Sequence, residues 1–154
     1  MAIVIHRAEL QDAESLRTIA RQAYAHYRDR MDRDPAPMHA EFTTHILKDI
    51  VFVAKGDDAQ SEIHGYAVLI NQDSGWLLDN IAVEPSHKSI GIGTKLLASC
   101  EAHLIDLNVA KYRLYTNVVM RETLAWYLSL GFVEIDRRME DGFHRVYLER
   151  HLND

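Results

Sequence analysis

The sequence predicts a mixed α/β (α+β) fold on a central, mostly antiparallel sheet, and three observations carry that expectation. Strand-like and helix-like stretches follow one another in the order β-α-α-β-β-β-α-β-α-β-β along 154 residues. The apolar run from Leu77 to Val83 stops at Pro85, which has no N–H to continue a ladder. It passes through a polar turn with two glycines into apolar residues at helical spacing: Ile92, Leu96, Leu97, Cys100, Leu104 and Ile105. A buried strand therefore feeds a glycine-containing loop that opens a helix.

The length suits one domain spanning 1–154, with enough chain for a real core. Hydrophobic residues at 47% and charged residues at 26% fit a globular protein. Met1 to Arg7 is charged too early for a signal peptide, and no apolar run reaches membrane-spanning length. A cytoplasmic location with no membrane partner is expected. With 17 basic against 23 acidic residues, the formal charge of −6 disfavours nucleic acid as a partner and is compatible with cationic small molecules. A lone Cys100 cannot form an internal disulfide; on the apolar face of its helix it reads as a core residue.

In order, Ala2–Ala8 reads as the first strand. A helix follows, with Asp12 and Glu14 at its N-terminal end and a stripe of Leu16, Ile19, Ala20, Ala23, Tyr24 and Tyr27 running to about Arg30. Met31–Pro37 breaks it, and Pro37 suits the first turn of a second helix with Met38, Phe42 and Ile46 on one face. Tyr24, Tyr27 and Met38 read as core, with the alternative that their outer ends line a pocket. Ile50–Ala54 and Ile63–Ile70 are paired strands, and Asn71–Gly75 turns the chain into the Leu77 strand. Lys111–Asn117 is a further strand, Arg121–Leu130 a short helix capped by Gly131, and Phe132–Ile135 with Phe143–Leu148 a closing hairpin around Glu140-Asp141-Gly142.

The loop before Ile92 suits an anion. A first helical turn leaves N–H groups without partners at the positive end of the helix dipole. Glycines admit a phosphate close to the backbone, and Lys88 adds charge at the rim. No P-loop is present, and Gly91-Ile92-Gly93 lacks the third glycine of a dinucleotide fingerprint. The order Val83-x-Pro85-x-x-Lys88-x-x-Gly91-x-Gly93, followed by Ala125-Trp126-Tyr127-Leu128-Ser129-Leu130-Gly131-Phe132, instead resembles the two signatures of the GNAT N-acetyltransferase superfamily. Nearly the whole chain can be threaded on that pattern.

The resemblance implies a GNAT fold of about seven strands flanked by four helices, and acetyl-CoA as cofactor. The main chain of Ile81, Ala82 and Val83 would hold the pantetheine arm. N–H groups of Lys88, Ser89, Ile90, Gly91, Ile92, Gly93 and Thr94 would face the pyrophosphate, and a splay between the fourth and fifth strands would make room. Tyr127 falls at the family's proton donor to the departing thiolate, with a packed tyrosine as the alternative. Asp79, on the same strand and face as Ile81, is the acidic candidate for general base. It could equally hold the cationic amine, cap a turn or act through water; Glu84 points at the loop and Glu122 lies beyond the fifth strand. Tyr24, Tyr27 and Met38 flank the amine side. The family Asn seven residues before the tyrosine is Met120 here; Asn117 is the candidate replacement, or a residue that shapes the turn. Among nine histidines none forms a compact ligand set, so no metal is expected and scattered surface histidines are the simpler account.

The expected activity is acetyl transfer to the primary amine of a small molecule, by direct transfer in a ternary complex. Acetylation of a protein N-terminus or lysine is the alternative enzyme reading. A non-catalytic acyl-CoA-sensing module is the alternative from another class, favoured by Met120. A homodimer is left open.

Overall fold

The computed structural model describes residues 2–31, 34–56, 62–87 and 90–152, with only the backbone at residues 26 and 29. Strands β1 (Ile3–Arg7), β2 (Ile50–Gly56), β3 (Ile63–Gln72), β4 (Gly75–Val83), β5 (Lys111–Asn117), β6 (Val133–Glu140) and β7 (Phe143–His151) form one sheet in the order β1-β2-β3-β4-β5-β7-β6. Every neighbouring pair is antiparallel except β4 with β5. Helices α1 (Ala13–Tyr24) and α2 (Phe42–Lys48) lie on one face. Helices α3 (Ile92–Asp106) and α4 (Arg121–Ser129) lie on the other. Among the described residues no helix is long and apolar enough to cross a membrane.

Alternation along the strands sorts the core into two layers. Leu69, Leu78, Leu114 and Leu148 pack with Leu96, Cys100 and Leu104 of α3. Val51, Val53, Tyr66 and Val68 pack with Leu16 and Ile19 of α1 and Phe42 of α2. The first helical stripe tightens to 3-10 geometry over Ala25–Arg30. The second expected helix is not continuous: a 3-10 turn at Ala36–His39 ends at extended Ala40, and α2 starts afresh at Phe42. The break gives the two buried side chains separate seats. The 3-10 turn carrying Met38 packs on α1, while the Phe42 ring meets Tyr66 edge-on with centroids 5.1 Å apart.

The hairpin β6–β7 turns on Asp141 (φ 53°) and Gly142 (φ 82°), the pair of positive angles that a tight hairpin requires. Helix α3 crosses β3 at Gly65, where a Cβ would stand 3.0 Å from Ala82 O, 3.0 Å from Ile92 Cγ2 and 3.2 Å from Leu96 Cδ1. The first of these is main chain and cannot rotate aside. Gly65→Ala should therefore destabilise the fold by about 1–3 kcal/mol through overpacking. Urea unfolding measures it, and an unchanged midpoint would mean that α3 lifts off β3 freely.

Candidate active site

Strands β4 and β5 pair only at Leu77 with Arg113 and Leu78 with Leu114. Beyond that point they part, as expected for a sheet that must admit an extended ligand. The register fixes which backbone groups face the gap. Glu84 N–H donates to His64 O at 2.8 Å. Hydrogen-bonded pairs alternate along an antiparallel ladder, so Tyr66 with Ala82 is the next one. The N–H and C=O of Ile81 and Val83 therefore turn away from β3 into the gap. One of them is taken: Tyr24 Oη donates to Ile81 O at 2.7 Å.

The gap opens into a cleft of about 550 Å³, walled by Ile81–Val83, the start of α3 and Trp126 and Tyr127 of α4. Gly91 begins α3 in the left-handed region (φ 86°), and Lys95 N–H is the donor to its carbonyl at 3.0 Å. The N–H groups of Ile92, Gly93 and Thr94 precede that first helical bond and have no intrahelical acceptor. A Cβ on Gly93 would lie 3.3 Å from the Trp126 ring, so this glycine sets the width of the cleft.

A second, smaller hollow of about 40 Å³ lies under Met31 and Pro35–Pro37, with Asp79, Asn80, Tyr115, Phe143 and Arg145 around it. Tyr24, Ile81, Thr123 and Tyr127 line both spaces. Tyr127 owes its position to the end of α4. Gly131 (φ 102°) lets Phe132 N–H reach Tyr127 O at 3.2 Å and Gly131 N–H reach Leu128 O at 3.2 Å, a Schellman cap. The accompanying apolar contact is the Tyr127–Phe132 ring pair at 5.4 Å. The Tyr127 hydroxyl makes no hydrogen bond among the described residues, and burial pushes its pKa well above the ordinary phenol value.

Asp79 corrects one expectation. Leu69 pairs with Leu78 and Val68 with Asn80, so Asp79 is the extra residue of a β-bulge. The bulge breaks the alternation, placing Asp79 on the α2 side of the sheet, while Ile81 packs toward α3. There the Asp79 carboxylate accepts from Tyr115 Oη at 3.3 Å and stands 3.9 Å from His45 Nε2. The other nitrogen of that ring, His45 Nδ1, is 2.8 Å from Asp49 Oδ2. Burial raises the Asp79 pKa, against the opposing pull of His45, the Tyr115 hydrogen bond and Arg145. Beside it, Asn80 Oδ1 accepts from Tyr66 Oη at 2.8 Å.

The remaining expected residues fall as follows. Tyr27 lines the cleft and its hydroxyl lies 3.1 Å from Thr123 Oγ1. Met38 is buried and lines neither space. Ile90 is exposed, and Lys88 and Ser89 lie outside the described residues. Asn117 accepts Val119 N–H at 3.1 Å, so its carbonyl oxygen shapes the turn, and it borders the smaller hollow. Met120 is buried, with Thr116 Oγ1 donating to its sulfur at 3.6 Å. Cys100 is buried and its thiol is pushed up to about 12.

The histidines are not all scattered on the surface. His45 joins two aspartates, and buried His64 meets Glu84 and His87. Sequence reading also missed Tyr115, Thr123, Trp126 and Arg145. Period-2 alternation on β5 puts Tyr115 opposite buried Leu114 and could have marked it, and Asp49 four residues after His45 could have marked that ring.

Residues 48–134, more than half of the chain, match the family described as Acetyltransferase (GNAT) domain. Solved structures share the fold over almost the full length. The ribosomal-protein-S18-alanine N-acetyltransferase from Escherichia coli superposes with a TM-score of 0.77 at 21% identity, covering 98% of this chain and 94% of that one. The PaiA N-acetyltransferase from Thermoplasma acidophilum, in complex with coenzyme A, gives 0.79 at 18% identity, over 98% and 99%. YncA from Salmonella typhimurium, with its cofactor acetyl-CoA, gives 0.68 at 16% identity, over 100% and 96%. No curated protein sequence matches significantly. With a parted β4–β5 pair, a glycine-started α3 and a family match across both, the chain belongs to the GNAT acetyltransferase family.

Proposed function

We propose that this chain is an acetyl-CoA-dependent N-acetyltransferase that acts directly on the primary amine of a small molecule. The observation that carries this reading is the meeting of a large cleft and a smaller hollow at Tyr127, whose hydroxyl has no hydrogen-bond partner among the described residues. The cleft fits the cofactor: its wall offers main-chain groups of Ile81 and Val83 to an amide-bearing arm. Its end offers the first N–H groups of α3 to a pyrophosphate. When bound, acetyl-CoA supplies an activated thioester whose acetyl carbon the amine nitrogen attacks and whose sulfur departs with the bonding electron pair. The protein holds the two partners adjacent, which by itself supplies much of the rate.

Tyr127 gives its proton to the departing sulfur. Burial keeps this phenol protonated at neutral pH, so its proton is in place as the thiolate forms, while the same burial makes it the weaker acid. Asp79 receives the ammonium form of the acceptor and takes its proton, a role that suits a carboxylate with a raised pKa. His45, held by Asp49, and the Tyr115 hydroxyl orient that carboxylate. The smaller hollow, roofed by Pro35–Pro37, favours a compact acceptor over an extended peptide.

Following free thiol release, a panel of amino acids, polyamines and amino sugars should turn over, with N-terminal and lysyl peptides inert. The opposite ranking would move the acceptor to protein. Cofactor binding with no turnover on any acceptor would reduce the chain to a sensor.

Tyr127→Phe keeps the ring and removes the hydroxyl. It should lower kcat by roughly ten- to a thousandfold, within the usual reach of acid–base help, with acetyl-CoA affinity and Tm nearly unchanged. Unchanged turnover with a reduced Tm would leave the residue a packing role only.

Asp79→Asn couples stability to the same chemistry. The folded pKa lies above its ordinary value of 3.8, so the folded state holds that proton more tightly than the unfolded chain. Wild-type stability therefore falls as pH rises between the two values, and the full penalty remains above the folded one. Asparagine escapes the penalty and keeps an acceptor for Tyr115. Its Tm should gain on wild type as pH rises from about 4 and keep that gain at higher pH, while kcat/KM drops by roughly a hundredfold or more. A Tm difference independent of pH would show that Asp79 carries no desolvated charge.

A further inference from the structure

We propose that His64, Glu84 and His87 form a binding site for a divalent transition-metal ion of the zinc type, separate from the acetyl-transfer chemistry. Donor atoms of the three side chains lie within 4.8 Å of one another. His64 Nδ1 is 2.8 Å and His87 Nδ1 2.5 Å from the same oxygen, Glu84 Oε1. The backbone builds this convergence. His64 and Glu84 are cross-strand neighbours, joined by Glu84 N–H to His64 O at 2.8 Å. Pro85 starts a 3-10 turn, Pro85–His87, in which His87 N–H reaches Glu84 O at 2.9 Å. Two of the three donors thus come from one tight turn and the third from the strand beside it.

The chemistry of the cluster favours an ion. Glu84 is four-fifths buried, and among the described residues its ion-pair partners are the two imidazoles. A carboxylate this far out of water is expensive to desolvate, and two imidazoles that are neutral unless protonated offset that cost only in part. Without an ion, each Nδ1 must carry a hydrogen to face Glu84. With the tautomers switched to Nε2–H, both Nδ1 lone pairs and the carboxylate point at one cation, and water completes its shell. Two imidazole nitrogens with one carboxylate oxygen suit Zn2+, Co2+ or Ni2+ and not Mg2+ or Ca2+, which prefer all-oxygen shells.

One movement is required. The two rings are stacked, with centroids 3.8 Å apart and planes at 17°, whereas an ion lies in the plane of each ring that binds it. His87 can fan outward, since its side chain is 25% exposed and stands on a turn, while His64 at 8% is held in β3. The site sits at the root of the loop from β4 to Gly91, so an ion there ties the end of the strand to that loop.

The test uses the full chain without a histidine tag, stripped with chelator. Zn2+ is titrated by calorimetry and Co2+ by its visible absorption, with Mg2+ as control. One Zn2+ per chain should bind, Co2+ should develop a low-symmetry absorption band, and Mg2+ should do neither. His87→Ala, on the partly exposed turn, and Glu84→Gln should each weaken Zn2+ by roughly tenfold or more, since even outer partners of metal ligands are worth about 10- to 100-fold. Because His64 is buried, His64→Gln is judged only after circular dichroism shows it folded. Zn2+ bound equally well by His87→Ala and Glu84→Gln would place it on other histidines and overturn the proposal, as would the absence of any binding. None of these readouts depends on acetyl transfer.

Discussion

The parting of β4 from β5 is the constraint on which the rest of the site depends. Two residue pairs hold these strands together, and beyond Leu78 and Leu114 they part in the middle of a seven-stranded sheet. Unpaired backbone groups in such a place are costly unless something answers them. Tyr24 answers one, through its bond to Ile81 O. The others face a cleft shaped for a ligand that can complete them. The same opening brings the start of α3 and the end of α4 to opposite sides of one gap, which is why residues far apart in sequence share it.

The bulge at Asp79 acts at the mouth of that opening. By inserting one residue into β4 against β3 it reverses the facing of everything after Asp79. Asn80 and Ala82 then turn toward α1, Ile81 and Val83 toward α3, and Asp79 is left beside Tyr115 and His45. Without the bulge, the apolar pair Ile81 and Val83 would face α1 and α2, and the polar Asn80 would enter the α3 core. The irregularity is thus what allows one strand to carry both a buried apolar layer and a polar group at the hollow.

Burial sets the electrostatic character of the surroundings. Tyr24, Tyr66, Tyr115 and Tyr127 all have pKa values raised chiefly by desolvation, so they stand as neutral hydroxyl groups, two of them, Tyr66 and Tyr115, within reach of the Asp79 charge. Tyr24, Tyr66 and Tyr115 spend their hydrogens on Ile81 O, Asn80 Oδ1 and Asp79 Oδ1. Tyr127 does not. The difference follows from its helix end: the Schellman cap and the Phe132 contact fix its ring from below and leave its tip between the two spaces.

By itself the sequence determined what depends on near neighbours. The order of strands and helices, the start of α3 at Gly91 and the Gly131 cap that seats Tyr127 all rest on periodicity, a turn residue or a cap within a few positions. The tertiary structure alone decided which side chains converge. Asp79 was legible as an acid on β4, yet a one-residue bulge put it and Ile81 on opposite faces, since a slip of one residue moves a side chain to the other face of a sheet. His45 with Asp79, and His64 with the Glu84–His87 turn, meet through packing and strand register across intervals that carry no local spacing rule. Local chemistry writes the elements; register and packing choose the partners.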